Sequence, residues 1–245
     1  SYAALDRPAA VWNVVAAPEL SLELKTWCFA VVGCVGYRGY YDRAEADALA
    51  EQLKREGWEV LVYPVPAYST LGWTEWLGGD PLLSTFIRWP EGELARLVFH
   101  ELAHQVAYAA DDTVFNESYA TAVERLGGRL WLERHASPAA RAEYAAFDAR
   151  RREFKALTLA ARRDRETIYR DPARSAAGKR TAKAERLARL RAEYEALKAG
   201  PWGGFAGYDG WFARANNAAF AIQAAYDGWV PAFEALFQRE GRDFT

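Results

Sequence analysis

Apolar and polar positions change period several times along the 245-residue chain, and each change marks an element. Residues 11–15 and about 28–37 carry the β-branched and aromatic content of strands. From Asp42 the period becomes helical. Asp42 is placed as an N-cap, Ala46, Leu49 and Leu53 share one face, and Gly57 ends the helix. Residues 59–65 return to a buried strand, and residues 66–73 continue extended, with prolines that suit a sheet edge. Such an edge offers itself to an extended peptide by strand addition. Residues 71–84 combine Gly, Trp and acid, which is loop chemistry; they form either one wall of a cleft or an ordinary surface loop whose tryptophans pack inward.

Residues 97–106 read as one helix, and residues 116–124 begin a second that runs to about His135. Asp111 and Asp112 close the first, and so short a loop makes an antiparallel pair that returns the start of the second helix towards the middle of the first. Residues 139–198, broken between Asp171 and Gly178, read as two long helices in a hairpin. Residues 200–210 are a Gly and aromatic linker, followed by a final helical region with Asn216, Asn217 and Tyr226. The expected fold is α+β. A small mixed sheet occupies residues 1–90, the paired helices 91–138, the hairpin 139–199, and a C-terminal helical region completing the catalytic domain 200–245.

Composition narrows this picture. Half the chain is apolar (51%), with ten tryptophans, which marks a folded globular protein. A formal net charge of −2 gives bulk nucleic-acid binding no support, and no apolar run reaches membrane-spanning length. Charge is unevenly placed. Residues 139–198 hold 17 Lys and Arg against 9 Asp and Glu, a net of +8, leaving −10 elsewhere. A solvated hairpin is the ordinary reading of such a run, and attachment to an anionic partner or membrane surface the sharper one. The chain has no methionine and begins at Ser1, so we expect a leading segment, and any targeting signal it carried, to have been removed.

The chemistry concentrates in residues 97–106. His100 and His104 lie one helical turn apart on one face, so both imidazoles can reach a single cation, and Glu101 beside them can hold a proton without being a ligand. Two of the three histidines in the chain fall at this spacing. A catalytic zinc needs three protein ligands and one open position. The antiparallel return makes Glu117 the expected third ligand, against the plainer reading of an acid complementing a helix start. Cys28 and Cys34 are far from the histidines at a spacing unusual for zinc, and the residues alone leave a disulfide and two buried thiols equally open.

Taken together, Trp27 and Cys28 with Gly33 and Cys34, residues 37–40, 66–73, 80–85, 100–105 and 116–124, and the pair Asn216 and Asn217 resemble the bacterial predicted aminopeptidase family of zincin-like metalloproteins, over nearly the whole chain. The resemblance implies a gluzincin pattern with Glu117 as third zinc ligand. The gap from His104 is shorter than in the best-known gluzincins, and Glu124 is the alternative carboxylate. It further implies export to the bacterial periplasm or cell envelope on a lipoprotein signal, a lipid anchor outside this sequence, and a disulfide between Cys28 and Cys34.

The expected function is a zinc-dependent peptidase acting on peptide substrates, with one Zn2+, Glu101 as general base and Tyr226 as donor to the oxyanion; Tyr68, Tyr208 and His135 stand behind Tyr226. An aminopeptidase also needs a carboxylate for the substrate ammonium, for which Glu75 and Asp80 are candidates, with Tyr68 beside them in substrate binding. Without such an acid the better reading is an endopeptidase. The alternative from another class is a zincin-fold binding or scaffold protein with a structural or vestigial metal, against which the presence of Glu101 argues.

Overall fold

The computed structural model describes residues 2–29, 33–67, 82–226 and 228–243. Its strands are β1 (Tyr2–Ala3), β2 (Val11–Pro18), β3 (Trp27–Phe29), β4 (Gly33–Val35), β5 (Arg38–Tyr40), β6 (Trp58–Val65) and β7 (Leu82–Leu83). Its helices are α1 (Arg43–Arg55), α2 (Glu91–Val106), α3 (Thr113–His135), α4 (Pro138–Arg170), α5 (Ala176–Ala199), α6 (Asp209–Arg214), α7 (Asn217–Ala225) and α8 (Val230–Arg239).

A three-stranded sheet in the order β5-β2-β6 lies between two helices. On one face Val14 and Ala16 of β2 pack with Ala46, Ala50 and Leu53 of α1. On the other, Val15 and Ala17 pack with Ala218, Ala221 and Ile222 of α7. Burial on both faces explains why β2 reads as an almost unbroken apolar run. The sheet is antiparallel throughout rather than mixed. The parallel pair is the short β1 and β7, in a separate ladder. Residues 28–37 do not form one strand. β3 and β4 pair antiparallel, with Cys28 opposite Cys34 and a disulfide between them, and Gly33, at φ 75°, opens β4.

The edge at residues 66–73, expected to accept an added strand, lies from residue 68 onward outside the described residues, and the outer edge of β6 just before it is occupied. Val60 O accepts from Asn216 Nδ2 at 2.8 Å and Val62 O from Arg214 Nη1 at 3.3 Å. Pro64, further along, has no N–H to offer. Asn216 also caps α7, accepting from Ala219 N at 3.0 Å, so the chain ahead of α7 both starts that helix and covers the strand.

The α4–α5 hairpin docks on this core partly through its own cations. Arg165, fully buried, donates from Nη1 to Asn217 Oδ1 at 2.9 Å, and its guanidinium lies over the Phe220 ring at 4.6 Å. Asn217 in turn donates from Nδ2 to Pro18 O and Glu19 O. Lys183 reaches Glu59 and Glu19 O, and Arg186 reaches Asp164 at 2.6 Å. Some of the surplus positive charge read in residues 139–198 is therefore internal wiring.

The closest helix contact is between α2 and α3, through two consecutive glycines. A Cβ on Gly127 would meet Phe99 Cδ1 at 3.0 Å, and one on Gly128 would meet Arg96 Cγ at 2.9 Å. Glycine inside a helix costs about 1 kcal/mol against alanine; here that cost accompanies an approach no larger residue permits. We predict that Gly128→Ala lowers the melting temperature despite its better helix propensity, because buried Arg96 has no room to yield. Gly178→Ala, whose Cβ would meet only Ser175 Oγ at 3.5 Å, should be neutral or stabilising in the same thermal unfolding experiment.

Candidate metal centre

The centre is built by the approach of α2 to α3. His100 and His104 project from α2, and Glu117, 6% exposed, from the second turn of α3. Glu117 Oε2 lies 3.4 Å from His100 Nε2 and 3.9 Å from His104 Nε2, and one donor atom from each of the three residues falls within 4.8 Å of the others. Tetrahedral zinc with ligand bonds of about 2.0–2.1 Å requires its ligands to be about 3.3–3.4 Å apart. The triangle therefore fits such an ion after small side-chain movements.

The N-cap of α3 and the two residues on either side of Glu117 fix that carboxylate. Asp112 caps the helix, accepting from Phe115 N at 2.8 Å. Asn116, 3% exposed, clips it to the chain leaving α2: Ala109 N donates to its Oδ1 and its Nδ2 donates to Ala109 O, both at 2.7 Å. Ser118, fully buried, donates to Ala225 O and accepts from Trp229 N, both at 3.1 Å, tying α3 to the turn that carries Tyr226. The disulfide-closed hairpin holds the intervening loop from outside. Cys34 N donates to Asp111 Oδ1 at 2.5 Å and Gly36 N to Thr113 Oγ1 at 3.3 Å, with Asp111 itself at φ 65°.

Glu124, the alternative ligand, sits on the far side of His100. Its Oε2 is 3.2 Å from His100 Nδ1, the ring nitrogen opposite the one facing Glu117. Its other oxygen is bonded by Arg96, a buried guanidinium that also faces Glu93 at 3.6 Å, and Glu93 is held by Arg151 of α4 at 2.5 Å. Glu124 thus lies behind His100, on the side away from Glu117, the place that carboxylates commonly take behind metal-bound histidines.

Electrostatics follow from this placement. Burial opposes an imidazolium at His100, but the two flanking carboxylates prevail and push its pKa up to about 10. Burial, together with the neighbouring His100 charge, lowers that of His104, although Glu117 pulls the other way. Burial would raise Glu124, yet Arg96 and then His100 hold it down at about 2. The protein without metal keeps a proton where a cation would sit.

Tyr226, at the end of α7, stacks on His100 with ring centroids 6.2 Å apart and 25° between planes. Glu101 is half-buried on α2 beside His100. The other donor candidates are elsewhere. Tyr208 stacks on Phe154 at 4.1 Å within the aromatic cluster under the hairpin. His135 is exposed at the far end of α3, about 27 Å from Glu117 at 1.5 Å per residue. Tyr68, Glu75 and Asp80 lie outside the described residues.

A family model described as "Putative aminopeptidase" matches residues 1–245. The chain belongs to this family. No curated protein and no solved structure matches it. In this family member Tyr63 packs beside Tyr226 and Asn13 donates to Tyr63, and neither strand residue carries a motif that would have marked it in the sequence.

Two predictions follow from the charges. Titrating Zn2+ at pH 7 should release about one proton per ion, measured calorimetrically in buffers of different ionisation enthalpy, because His100 is protonated below its raised value. Apparent affinity should then rise about tenfold per pH unit between pH 7 and 9. Glu124→Gln should weaken zinc binding by about 10–100-fold in chelator competition while the ligand set stays the same.

Proposed function

We propose that this protein is a zinc-dependent aminopeptidase with a zincin-like catalytic core. The observation carrying the reading is the His100, His104 and Glu117 donor triangle, with Glu101 the next residue after His100 on α2. Family membership supports peptide bonds as the target. A zinc ion held by those three side chains would supply Lewis acidity to a water and to the scissile carbonyl.

The chain's own groups do the rest. Glu101 takes a proton from the attacking water and returns it to the leaving amine nitrogen, so it acts first as base and then as acid. Tyr226 donates a hydrogen bond to the carbonyl oxygen as negative charge develops there. Burial pushes the Tyr226 phenol well above its ordinary pKa, helped by the Glu117 charge, so it stays a donor across the working pH range. Glu124 and Arg96 hold the His100 ring in place while this happens. The disulfide suits an oxidising compartment such as the periplasm.

The deciding experiment is Glu101→Gln, assayed on a panel of fluorogenic aminoacyl amides with metal content measured alongside. We expect turnover to fall about 100–10,000-fold with zinc content unchanged, and activity of the parent to vanish with chelator and return with Zn2+. A variant that keeps parental turnover would remove Glu101 from the chemistry.

A further inference from the structure

Asn13 stands in the middle of β2, on the face where Val15 and Ala17 are packed against α7, and is itself 6% exposed. A buried amide in an otherwise apolar stripe is costly unless its hydrogen bonds are met. Asn13 Nδ2 points across the sheet and donates to the Tyr63 hydroxyl at 3.3 Å. The Tyr63 side chain packs beside that of Tyr226 against the same apolar cluster, within hydrogen-bonding reach of its hydroxyl, and the Tyr226 ring stacks on His100. Gly39 of β5 leaves the space Asn13 needs, since a Cβ there would lie 3.2 Å from Asn13 Oδ1. A line of polar groups therefore runs from the centre of the sheet to the candidate metal centre.

We propose that Asn13 and Tyr63 form a relay that sets the direction in which Tyr226 donates, making Tyr63 a positioning residue of the site. This rests on the peptidase reading and on Tyr226 facing the substrate oxygen. Two adjacent hydroxyls share one hydrogen bond and can point it either way. When Tyr226 donates to Tyr63, its proton is turned away from the site. When Tyr63 donates to Tyr226, that proton is free for a substrate oxygen, and no heavy atom need move.

Asn13 biases the choice. By donating to the Tyr63 oxygen it polarises that hydroxyl and strengthens it as a donor towards Tyr226. A developing negative charge then completes the switch, because a hydrogen bond to an ionised acceptor is roughly twice as strong as a neutral one. Both phenols keep their protons throughout. Burial pushes Tyr63 up to about 12, outweighing the lowering by its hydrogen bonds, so the relay remains intact at neutral pH.

The test is a double-mutant cycle on the zinc-loaded full chain, with fluorogenic aminoacyl amides as substrates. Tyr63→Phe should lower kcat on the order of tenfold and leave KM, zinc stoichiometry and melting temperature near parental values. In a Tyr226→Phe background the same change should have no further effect on kcat. Asn13→Ala should shift kcat in the same direction by a smaller factor, again only when Tyr226 is present. Equal losses in both backgrounds, unchanged kcat in Tyr63→Phe, or a loss explained by lower zinc content or stability would each overturn the relay while leaving the peptidase reading intact. A zinc-loaded parent with no turnover on the whole panel would overturn both.

Discussion

A carboxylate held between two imidazoles in a mostly buried position is the interaction to which the surrounding structure answers. Taking such groups out of water is costly unless they are paired. Glu117 meets both histidines, Glu124 meets the other side of His100, and Arg96 neutralises Glu124. The crowding of polar groups exists because α2 and α3 approach through Gly127 and Gly128. Alternating charge along this line lets a cation replace the His100 proton without leaving a buried anion unmatched.

The remainder of the fold can be understood as support for that line. Asn116 and the disulfide-closed hairpin fix the loop between the two helices, one from within and one from outside. Ser118 joins the third ligand's helix to the Tyr226 turn, so residues from opposite ends of the chain are located by adjacent positions on α3. The sheet, sandwiched between α1 and α7, supplies the rigid floor beneath Tyr226. The proposed chemistry needs Glu101 as well, since a purely structural metal has no use for a base beside it.

Local signals were readable wherever one residue type answers one local need. The Asp42 cap, the Gly57 stop, the helix pair and the spacing of His100, Glu101 and His104 are of this kind. Glu117 was also readable, because a short loop leaves an antiparallel return little freedom. Features decided by distant contacts were not. Glu124 lies two helical turns beyond Glu117 on the same helix, and only the observed distances show Glu117 facing both histidines and Glu124 on the far side of His100. Consecutive glycines inside α3 look like weak helix until Arg96 and Phe99 are seen against them. Nothing in β6 itself signals that Asn216 and Arg214, far along the chain, bond to its outer edge. Asn13 and Tyr63 are ordinary strand residues until Tyr226 is placed beside them.

The most direct measurement is the identity of the ligands around one bound zinc, from anomalous diffraction of crystals grown with Zn2+. The account predicts one ion per chain, bonded to the Nε2 atoms of His100 and His104 and to a Glu117 oxygen, with Glu124 against the far nitrogen of His100. Zinc bound elsewhere, or a Glu117 carboxylate turned away from the ion, would contradict it.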